Sequence, residues 1–214
     1  MGNIDQLSDL DLAALVASKI CHDAIGPMTA IGFGLDVLDE DDDEEQRESA
    51  VGMIRKGVGQ ITAKLQFARL AFGAAGSSGF EIDLLEARKV AEGYVESDKK
   101  HNVEWNSSVA AMPKNNVKLL LNLIVIAVST VPRGGVITVS IEGDKDKPSI
   151  TFKTAGEKAR IPVGVMDLIN GTQQEDVDAR SIQPYFTGRV AKTVGATISM
   201  DMDGEGVSLI ARFA

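Results

Sequence analysis

The chain has 214 residues, a formal net charge of −9 at pH 7 and an isoelectric point near 4.8. Its hydrophobic content of 44 % and charged content of 25 % are typical of a globular protein, and the length allows a sizeable core in one or two domains. The negative charge argues against direct binding of nucleic acid, because no overall positive field attracts phosphates.

Neither a membrane span nor export is predicted. No run approaches the roughly 18 apolar residues that a membrane helix requires. The first 12 residues lack a basic start and do not resemble a signal peptide. The single cysteine, Cys21, excludes an intrachain disulfide and a multi-cysteine metal site, and we expect it to be a small core residue. These features predict a cytoplasmic protein.

Residues 1–75 are predicted to form an antiparallel helical hairpin. Apolar residues recur there in alternating steps of three and four, the spacing of a bundle seam. They are Leu7, Leu10, Ala14, Ala17, Cys21, Ala24, Met28, Ile31, Leu35 and Leu38, then Val51, Ile54, Val58, Ile61, Leu65, Ala68 and Phe72. The acidic run at 39–45 predicts a solvated connection, with an acidic docking surface as the alternative. Because an isolated hairpin leaves half its seam uncovered, we expect a homodimer with a four-helix bundle.

The second half is predicted to be a separate domain, so that the fold class is α+β. A small-residue run at 73–79, GAAGSSG, predicts a linker, and residues 80–214 predict an α/β sandwich with a mostly antiparallel sheet. Helices are expected over 83–97 and 113–131, and region 173–194 is expected to contain a helix that is interrupted near Pro184. Strands are expected over 103–109, 136–142, 149–154, 197–203 and 206–213. His101 is expected to lie at the surface.

The segment 19–27, KICHDAIGP, places a histidine and an acid side by side on the first predicted helix. Neutral imidazole is a good nucleophile near pH 7, since its ordinary pKa is about 6.5. A helix holds His22 rigidly where another protein can reach it, and Asp23 can orient the ring and take up its proton. On these residues alone, a phosphoryl-accepting histidine and an ordinary surface histidine are equally well supported.

Neighbouring residues on this helix are candidates for supporting roles. Lys19 lies one turn before His22, where its ammonium can steady a phosphoryl group or simply add surface charge. Pro27 has no N–H for the carbonyl of Asp23, so the helix is expected to bend or loosen there. Glycines at 26, 32 and 34 either admit a partner or pack against the second helix. The candidate docking residues are Ile25, Gly26, Thr29 and Phe33.

A helical hairpin with a histidine, followed by an α/β sandwich, resembles the core of a sensor histidine kinase. Segment 120–135, LLNLIVIAVSTVPRGG, resembles the kinase pattern LLNLLxNAxxxTPxGG, but Ile126 replaces the magnesium-binding asparagine. Segment 154–158, TAGEK, stands where the kinases have DxGxG, and Thr154 replaces the adenine-binding aspartate. The glycine-rich lid is absent, and 178–184 is DARSIQP instead. We therefore expect a degenerate, kinase ATPase-like domain.

The ChpT-type histidine phosphotransferases of alphaproteobacteria combine such a bundle with a degenerate kinase-like domain. Segments CHDAIGP (21–27), GLDVLDE (34–40) and LQFARLAFGA (65–74) resemble that family. The resemblance implies that His22 accepts a phosphoryl group from a receiver-domain aspartate of a hybrid histidine kinase. It also implies transfer onward to response-regulator aspartates in cell-cycle control, without ATP. Magnesium would be bound by the partner receiver domain, and this chain would need no cofactor.

Two other functions are compatible with the sequence. The chain could be a divergent ATP-dependent histidine kinase, although Ile126 and Thr154 argue against a nucleotide site. It could also be a non-catalytic dimeric module that sequesters a response regulator. Nucleotide binding tests the first alternative, and binding without phosphotransfer tests the second.

Overall fold

The computed structural model describes residues 7–40, 43–73 and 81–214. Its first part is the predicted hairpin, formed by α1 (Asp9–Glu40) and α2 (Glu44–Ala71). Asp43 caps α2, because its side chain accepts a hydrogen bond from the Gln46 N–H at 3.0 Å. The predicted acidic run therefore includes the start of the second helix. Residues 74–79 of the predicted linker lie outside the described residues.

Two glycines let the helices of the hairpin approach each other closely. A Cβ atom at Gly34 would lie 2.7 Å from Cγ1 of Ile54, and one at Gly57 would lie 2.9 Å from the carbonyl oxygen of Pro27. Gly34 therefore packs against the second helix. At Gly26, by contrast, a Cβ would have nothing within 4 Å, and the same holds for Gly32. These two glycines remain open to a partner.

About half of the residues in the predicted apolar seam point away from the contact between α1 and α2. We call the exposed apolar residues of this face the outer stripe, and they are Leu10, Met28 and Leu35 of α1 with Val58 and Leu65 of α2. Cys21 lies seven residues before Met28 on the same face and is exposed, so its prediction as a core residue is wrong for the single chain. The reason is geometric: the α2-facing side of α1 runs through Pro27 and Gly34, which are buried.

The second part is the predicted α/β sandwich. Its elements are β1 (Glu81–Asp83), α3 (Leu84–Val95), a 3₁₀ turn (Glu96–Asp98), β2 (His101–Ser107), β3 (Ala111–Pro113), α4 (Lys114–Thr130), β4 (Gly135–Gly143), β5 (Pro148–Ala155), α5 (Val165–Asn170), α6 (Ile182–Val194), β6 (Ala196–Asp203) and β7 (Gly206–Phe213). Five of the described strands form a sheet in the order β2-β4-β5-β7-β6, in which only the β2–β4 pair is parallel. Buried and exposed residues alternate along β5, which shows that the helices cover one face of the sheet.

Region 173–194 contains a helix as predicted, but the predicted interruption near Pro184 is wrong. Residues 173–181 are not helical, and α6 begins at Ile182. Pro184 is the third residue of this helix rather than a break within it. The first four N–H groups of a helix have no partner inside it, so a proline there costs no hydrogen bond. The short helix α5 and the small β1–β3 ladder were not predicted.

His101 is buried in β2, so its predicted surface position is wrong. Its side chain is 6 % exposed, and its ring nitrogens lie 2.9 Å from Oδ2 of Asp98 and 3.0 Å from the carbonyl oxygen of Val131. Because a strand begins where the sequence predicted the end of a helix, the ring points into the domain. Both ring nitrogens therefore lie within hydrogen-bond distance of an oxygen atom inside the protein.

The hairpin and the sandwich share one hydrophobic core. Phe67 at the end of α2 stacks on Tyr94 of α3 with ring centroids 4.1 Å apart. Asn122 of α4 is fully buried and donates a hydrogen bond to the carbonyl of Ala71 at 2.9 Å, and its own oxygen accepts one from Gln183. None of the described helices combines the length and hydrophobicity that a membrane crossing needs.

Candidate phosphotransfer site

His22 lies on the outside of α1, immediately before Asp23. Its side chain is 79 % exposed, so most of the imidazole is accessible to another protein. Nδ1 lies 3.5 Å from Oδ1 of Asp23, which is an electrostatic contact rather than a well-formed hydrogen bond. Nε2 makes no hydrogen bond within the described part of the chain. The nitrogen that is open to a partner is therefore the one farther from the carboxylate.

Asp23 is held in place by Lys19. The Lys19 ammonium donates to Oδ2 of Asp23 at 2.6 Å, across one turn of α1, and the lysine side chain is only 17 % exposed. This leaves Oδ1 of Asp23 to face His22. The three residues predicted as the reactive group therefore lie side by side, in the order ammonium, carboxylate, imidazole. A partly buried pair of this kind restricts the carboxylate more than a fully solvated pair does.

A fourth residue, Lys64 of α2, reaches the same turn and was not predicted. Its ammonium donates to the backbone carbonyl of Asp23 at 2.9 Å. That carbonyl has no helical partner, because residue 27 is a proline and lacks the N–H. The only signal in the sequence was the proline itself, which predicts an orphan carbonyl but not the residue that satisfies it.

The candidate docking residues share the exposed face of α1 with His22. Ile25, Gly26, Thr29 and Phe33 follow His22 by three, four, seven and eleven residues, and all four are exposed. Ile25 is 61 % and Phe33 is 58 % exposed, so two large apolar side chains face solvent beyond the histidine. The structure thus brings the predicted docking residues together on one surface. This face lies beside the outer stripe, which runs through Met28 and Leu35.

The sandwich reaches the turn that carries Asp23 from the other side. Gln60 of α2 donates to the carbonyl of Ser97 at 3.0 Å, and Tyr94 lies in the same crevice as Asp23 and Lys64. Burial raises the pKa of Tyr94, and the negative charge of Asp23 raises it further, so this phenol stays protonated at neutral pH. The turn that carries Asp23 therefore lies where both halves of the protein meet.

Two residues of the region that resembles a kinase nucleotide site, Ile126 and Thr154, are buried in the domain. Ile126 is 2 % exposed and offers no oxygen or nitrogen to a metal. Thr154 is buried, and its hydroxyl lies 2.8 Å from that of Thr130. It also contacts the backbone N–H and carbonyl of Val207, both at 3.3 Å. The position of the adenine-binding aspartate is thus occupied by a threonine whose hydrogen bonds are internal.

The segment after Thr154 folds against the end of α4. The Arg160 N–H donates to the carbonyl of Thr130 at 2.8 Å, and Ala159 packs against the hydrophobic core. A Cβ at Gly156 would collide with the carbonyl of Gly134, so this glycine serves close backbone packing. Lys158 takes a left-handed conformation at φ 59°, where the kinase pattern has a glycine. In the described ranges, no group of three or more His, Cys, Asp or Glu side chains could hold a metal ion.

Comparison with known proteins supports the resemblance over the whole chain. Residues 84–206 match the family described as the histidine phosphotransferase C-terminal domain. Protein phosphotransferase ChpT of Brucella abortus (strain 2308) is 40 % identical over 202 residues, which cover 94 % of this chain and 95 % of that protein. A bacterial phosphotransferase structure solved at 1.7 Å is 38 % identical and superposes with a TM-score of 0.89, covering 97 % of this chain and 98 % of the other.

These similarities agree with the geometry. The exposed imidazole beside a held carboxylate lies on a helix, and the domain that follows has Ile126 and Thr154 where the kinase pattern has an asparagine and an aspartate. The family match covers most of the sandwich, and the 40 % identity extends through the hairpin with His22. The chain therefore belongs to the ChpT-type family of histidine phosphotransferases.

Proposed function

We propose that His22 is the phosphoryl carrier of this phosphotransferase. The supporting observation is the side chain itself, which is 79 % exposed at its position beside the held carboxylate of Asp23. Nε2 is the acceptor atom in this proposal, because Nδ1 faces Asp23. With a proton on Nδ1, the lone pair of the neutral ring is on Nε2, which points toward an incoming partner.

The phosphoryl donor is an aspartyl phosphate of a receiver domain. The Nε2 lone pair attacks phosphorus, an N–P bond forms, and the P–O bond to the receiver's aspartate breaks. The electron pair of that bond stays on the released carboxylate. The ring becomes a cation that keeps its Nδ1 proton, and the Asp23 carboxylate offsets this charge at a distance of 3.5 Å. The reverse sequence passes the group to a second receiver aspartate.

Asp23 and Lys19 have separate roles in this proposal. Asp23 orients the imidazole and stabilises its charged form, and Lys19 fixes the carboxylate by donating to the other oxygen at 2.6 Å. Because the Lys19 ammonium is already paired with Asp23, its effect on the phosphoryl group acts mainly through Asp23. Magnesium is supplied by the receiver's own acidic pocket, so this chain needs none of its own.

Receiver domains dock on the exposed face of α1 that contains Ile25, Gly26, Thr29 and Phe33. The two apolar side chains provide area to bury, and Gly26 lets a partner backbone approach because nothing lies within 4 Å of its position. The donor is the receiver domain of a hybrid histidine kinase, and the acceptors are response regulators. We further propose a cytoplasmic location, where such kinases present their receivers.

Two copies of the chain form a four-helix bundle in this proposal. The outer stripe supplies the surface, since Met28, Leu35, Val58 and Leu65 are each about half exposed in the single chain. Exposed leucine and methionine at a spacing of seven residues are typical of a helical bundle contact. The docking face lies on a different side of α1, so dimer formation leaves His22 accessible.

ATP takes no part in the proposed reaction. Support comes from Ile126 and Thr154, which replace both recognition residues and lie buried with internal contacts. Calorimetric titration of the full chain with magnesium-ATP is expected to show no heat of binding. Binding of ATP in the micromolar range, followed by labelling of the chain from γ-labelled ATP, would favour the divergent kinase instead.

The direct test is label transfer from a phosphorylated receiver to the purified chain in the absence of ATP. We expect label on the wild type and none on His22→Ala. Binding of the same receiver to both proteins, measured in parallel, separates transfer from sequestration. Binding without label on the wild type, across several receivers, would support the sequestering module and contradict the proposal.

A further inference from the structure

Pro27 creates an unsatisfied hydrogen-bond acceptor in the turn that carries His22. In an uninterrupted helix, the N–H of residue 27 would donate to the carbonyl of Asp23, but proline has no such donor. The turn lies in a crevice between the two helices and the sandwich, lined among others by Ala24, Lys64 and Tyr94. An acceptor left unpaired in such a place carries a substantial energetic cost.

Lys64 supplies the missing donor from the other helix. Its ammonium lies 2.9 Å from the Asp23 carbonyl oxygen, although the two residues are 41 positions apart in sequence. A hydrogen bond from a charged donor is stronger than the amide bond it replaces. The close approach of the helices nearby, where Gly57 contacts the carbonyl of Pro27, brings α2 within reach of this turn.

Asp23 is consequently held at two points by two different lysines. Lys19 holds the carboxylate from one turn earlier on α1, and Lys64 holds the backbone carbonyl from α2. The first contact sets the side chain that faces the imidazole, and the second sets the backbone to which both Asp23 and His22 are attached. A turn containing proline would otherwise lack the hydrogen bond that normally fixes it.

From this arrangement we infer that Lys64 and Pro27 form an interhelical clamp on the Asp23 carbonyl, and that Lys64 is a positioning residue for phosphoryl transfer at His22. The inference rests on the proposed function, in which His22 is the phosphoryl acceptor. Lys64 acts through Asp23 and needs no contact with the receiver or the phosphoryl group. Its loss should slow the transfer step and leave receiver docking on the Ile25–Phe33 face unchanged.

The test measures the initial rate of label transfer as a function of receiver concentration for full-length variants. Lys64→Met should lower the maximal rate about 10-fold, since a displacement of about 1 Å at a reacting group can cost up to 100-fold. The receiver concentration at half-maximal rate should change less than about 2-fold, because docking is separate. Lys64→Arg should restore most of the rate. The control is Lys56→Met, which removes an exposed lysine two turns earlier on α2 and should match wild type.

A double-mutant cycle with Pro27→Ala distinguishes the clamp from a general effect of charge. Alanine restores the N–H, so the Asp23 carbonyl regains its helical partner and no longer depends on Lys64. In the Pro27→Ala background, Lys64→Met should therefore change the maximal rate less than about 2-fold, which is a strong non-additivity. Equal effects of Lys64→Met in both backgrounds would overturn the inference, as would a Lys64→Met rate equal to wild type.

Failure of the inference and failure of the proposed function give different results. Absence of label on the wild-type chain would remove His22 as acceptor and leave Lys64 without a role in transfer. Label on the wild type, with no change in Lys64→Met, would keep His22 as acceptor and remove the clamp alone. A thermal melt of each variant identifies any that is unfolded, and the Lys64→Arg variant then provides the comparison.

Discussion

At the scale of single residues, the candidate site is built around Asp23. Its carboxylate contacts Lys19 at 2.6 Å and faces Nδ1 of His22 at 3.5 Å, while its carbonyl accepts from Lys64. His22 itself makes few contacts and is free to meet a partner. In the proposed mechanism, Asp23 and its two lysines set the orientation of the exposed histidine.

Replacing Asp23 with asparagine should slow transfer without preventing docking. The substitution Asp23→Asn keeps the size of the side chain but removes the negative charge that offsets the imidazole cation and pairs with Lys19. We expect the maximal rate of label transfer to fall by about 10- to 100-fold at constant half-saturating receiver concentration. Asp36→Asn, which removes an exposed acid from the same helix, is the control. An unchanged rate in Asp23→Asn would show that the carboxylate has no part in the reaction.

The pair of Asp98 and His101 predicts a pH dependence of stability. Burial alone would raise the pKa of Asp98, but hydrogen bonds from the Lys100 N–H and the His101 ring together lower it below its usual range. A lowered folded-state pKa stabilises the fold above the unfolded value of about 3.9, and this contribution is lost as pH falls through the folded-state pKa.

Asp98→Asn should therefore melt at a lower temperature than wild type at pH 7, and the difference should shrink at pH 3. Asp201→Asn, an exposed acid in β6, should show no such trend. The measurement is a series of thermal melts followed by circular dichroism. A difference between Asp98→Asn and wild type that stays constant from pH 7 to pH 3 would contradict the assignment.

Much of the site is predictable from sequence because it is local. His22, Asp23 and Lys19 lie within about one turn of one helix, so their proximity follows from helical spacing. Lys64 is 41 residues from Asp23 and lies on the other helix of the hairpin. The periodicity of one helix does not indicate which residue of a second helix contacts it. The polar sequence neighbours of His101 predict a surface position, whereas its burial depends on a strand that pairs with β4.

At the scale of elements, the hairpin depends on two glycines at its closest approach. Gly57 faces the carbonyl of Pro27 and the side chain of Ile31, so α2 packs beside the turn that follows His22. Gly34, seven residues after Pro27 on α1, has the same role and packs against Ile54 of α2. The close approach of α1 and α2 near Pro27 therefore depends on the absence of a side chain at Gly34 and Gly57.

Gly57→Ala should destabilise the protein by about 1–3 kcal/mol, because the added methyl group collides with backbone that cannot move without separating the helices. Gly59→Ala is the matched control, since nothing lies within 4 Å of that position. Alanine there should stabilise the protein by about 0.5–1 kcal/mol through helix propensity. Urea unfolding of both variants gives the comparison. Equal stabilisation by the two substitutions would contradict the packing described for Gly57.

The boundaries of helices are predicted correctly where a capping residue and the apolar periodicity indicate the same position. Asp83 is the N-cap of α3, as its place before an apolar periodic segment predicts, and the apolar segment after Pro113 is α4. Region 173–194 contains the predicted helix from Ile182 onward, but the predicted interruption is wrong, because Pro184 lies in the first turn, where a proline breaks no helical hydrogen bond. The three-residue strands β1 and β3 are too short for any periodic pattern to indicate them.

At the scale of the whole molecule, the two halves are joined by a shared core rather than only by the chain between them. Phe67 and Leu70 of α2 belong to the same hydrophobic cluster as the helices of the sandwich. Asn122, which matches an asparagine of the kinase pattern, ties α4 to the end of α2. Removing the second half would therefore expose apolar residues of the first, so substitutions test its role better than truncation.

Leu35 lies in the outer stripe and Phe33 lies on the docking face, so we expect opposite effects on dimer formation when each is replaced by glutamate. Light scattering of the wild type should give about twice the 22.7 kDa of one chain. Leu35→Glu places a charge in the outer stripe and should reduce the mass to that of a monomer. Phe33→Glu should leave the dimer intact and weaken receiver binding. A monomeric wild type, or a dimer unaffected by Leu35→Glu, would contradict the proposed bundle.

The fold class is predictable at this scale because helical periodicity indicates the hairpin, and the later mixture of helical segments and alternating strands indicates the sandwich. The family also follows from three short segments, and the comparisons confirm it through 40 % identity over 94 % of the chain. The packing of the two halves is not predictable, since it depends on contacts such as that of Phe67 with Tyr94. The predicted domain division at residues 75–80 stays a prediction, as do the dimer and the roles of individual site residues.

The central claim is that His22 both receives and returns the phosphoryl group. The most direct test is a pulse-chase experiment without ATP, in which one labelled receiver is mixed with the chain, removed, and replaced by a second unlabelled receiver. We predict that label moves to the wild-type chain and then to the second receiver, and that His22→Ala stops the first step. Label on the second receiver with His22→Ala, or label that never leaves the wild-type chain, would contradict a relay through His22.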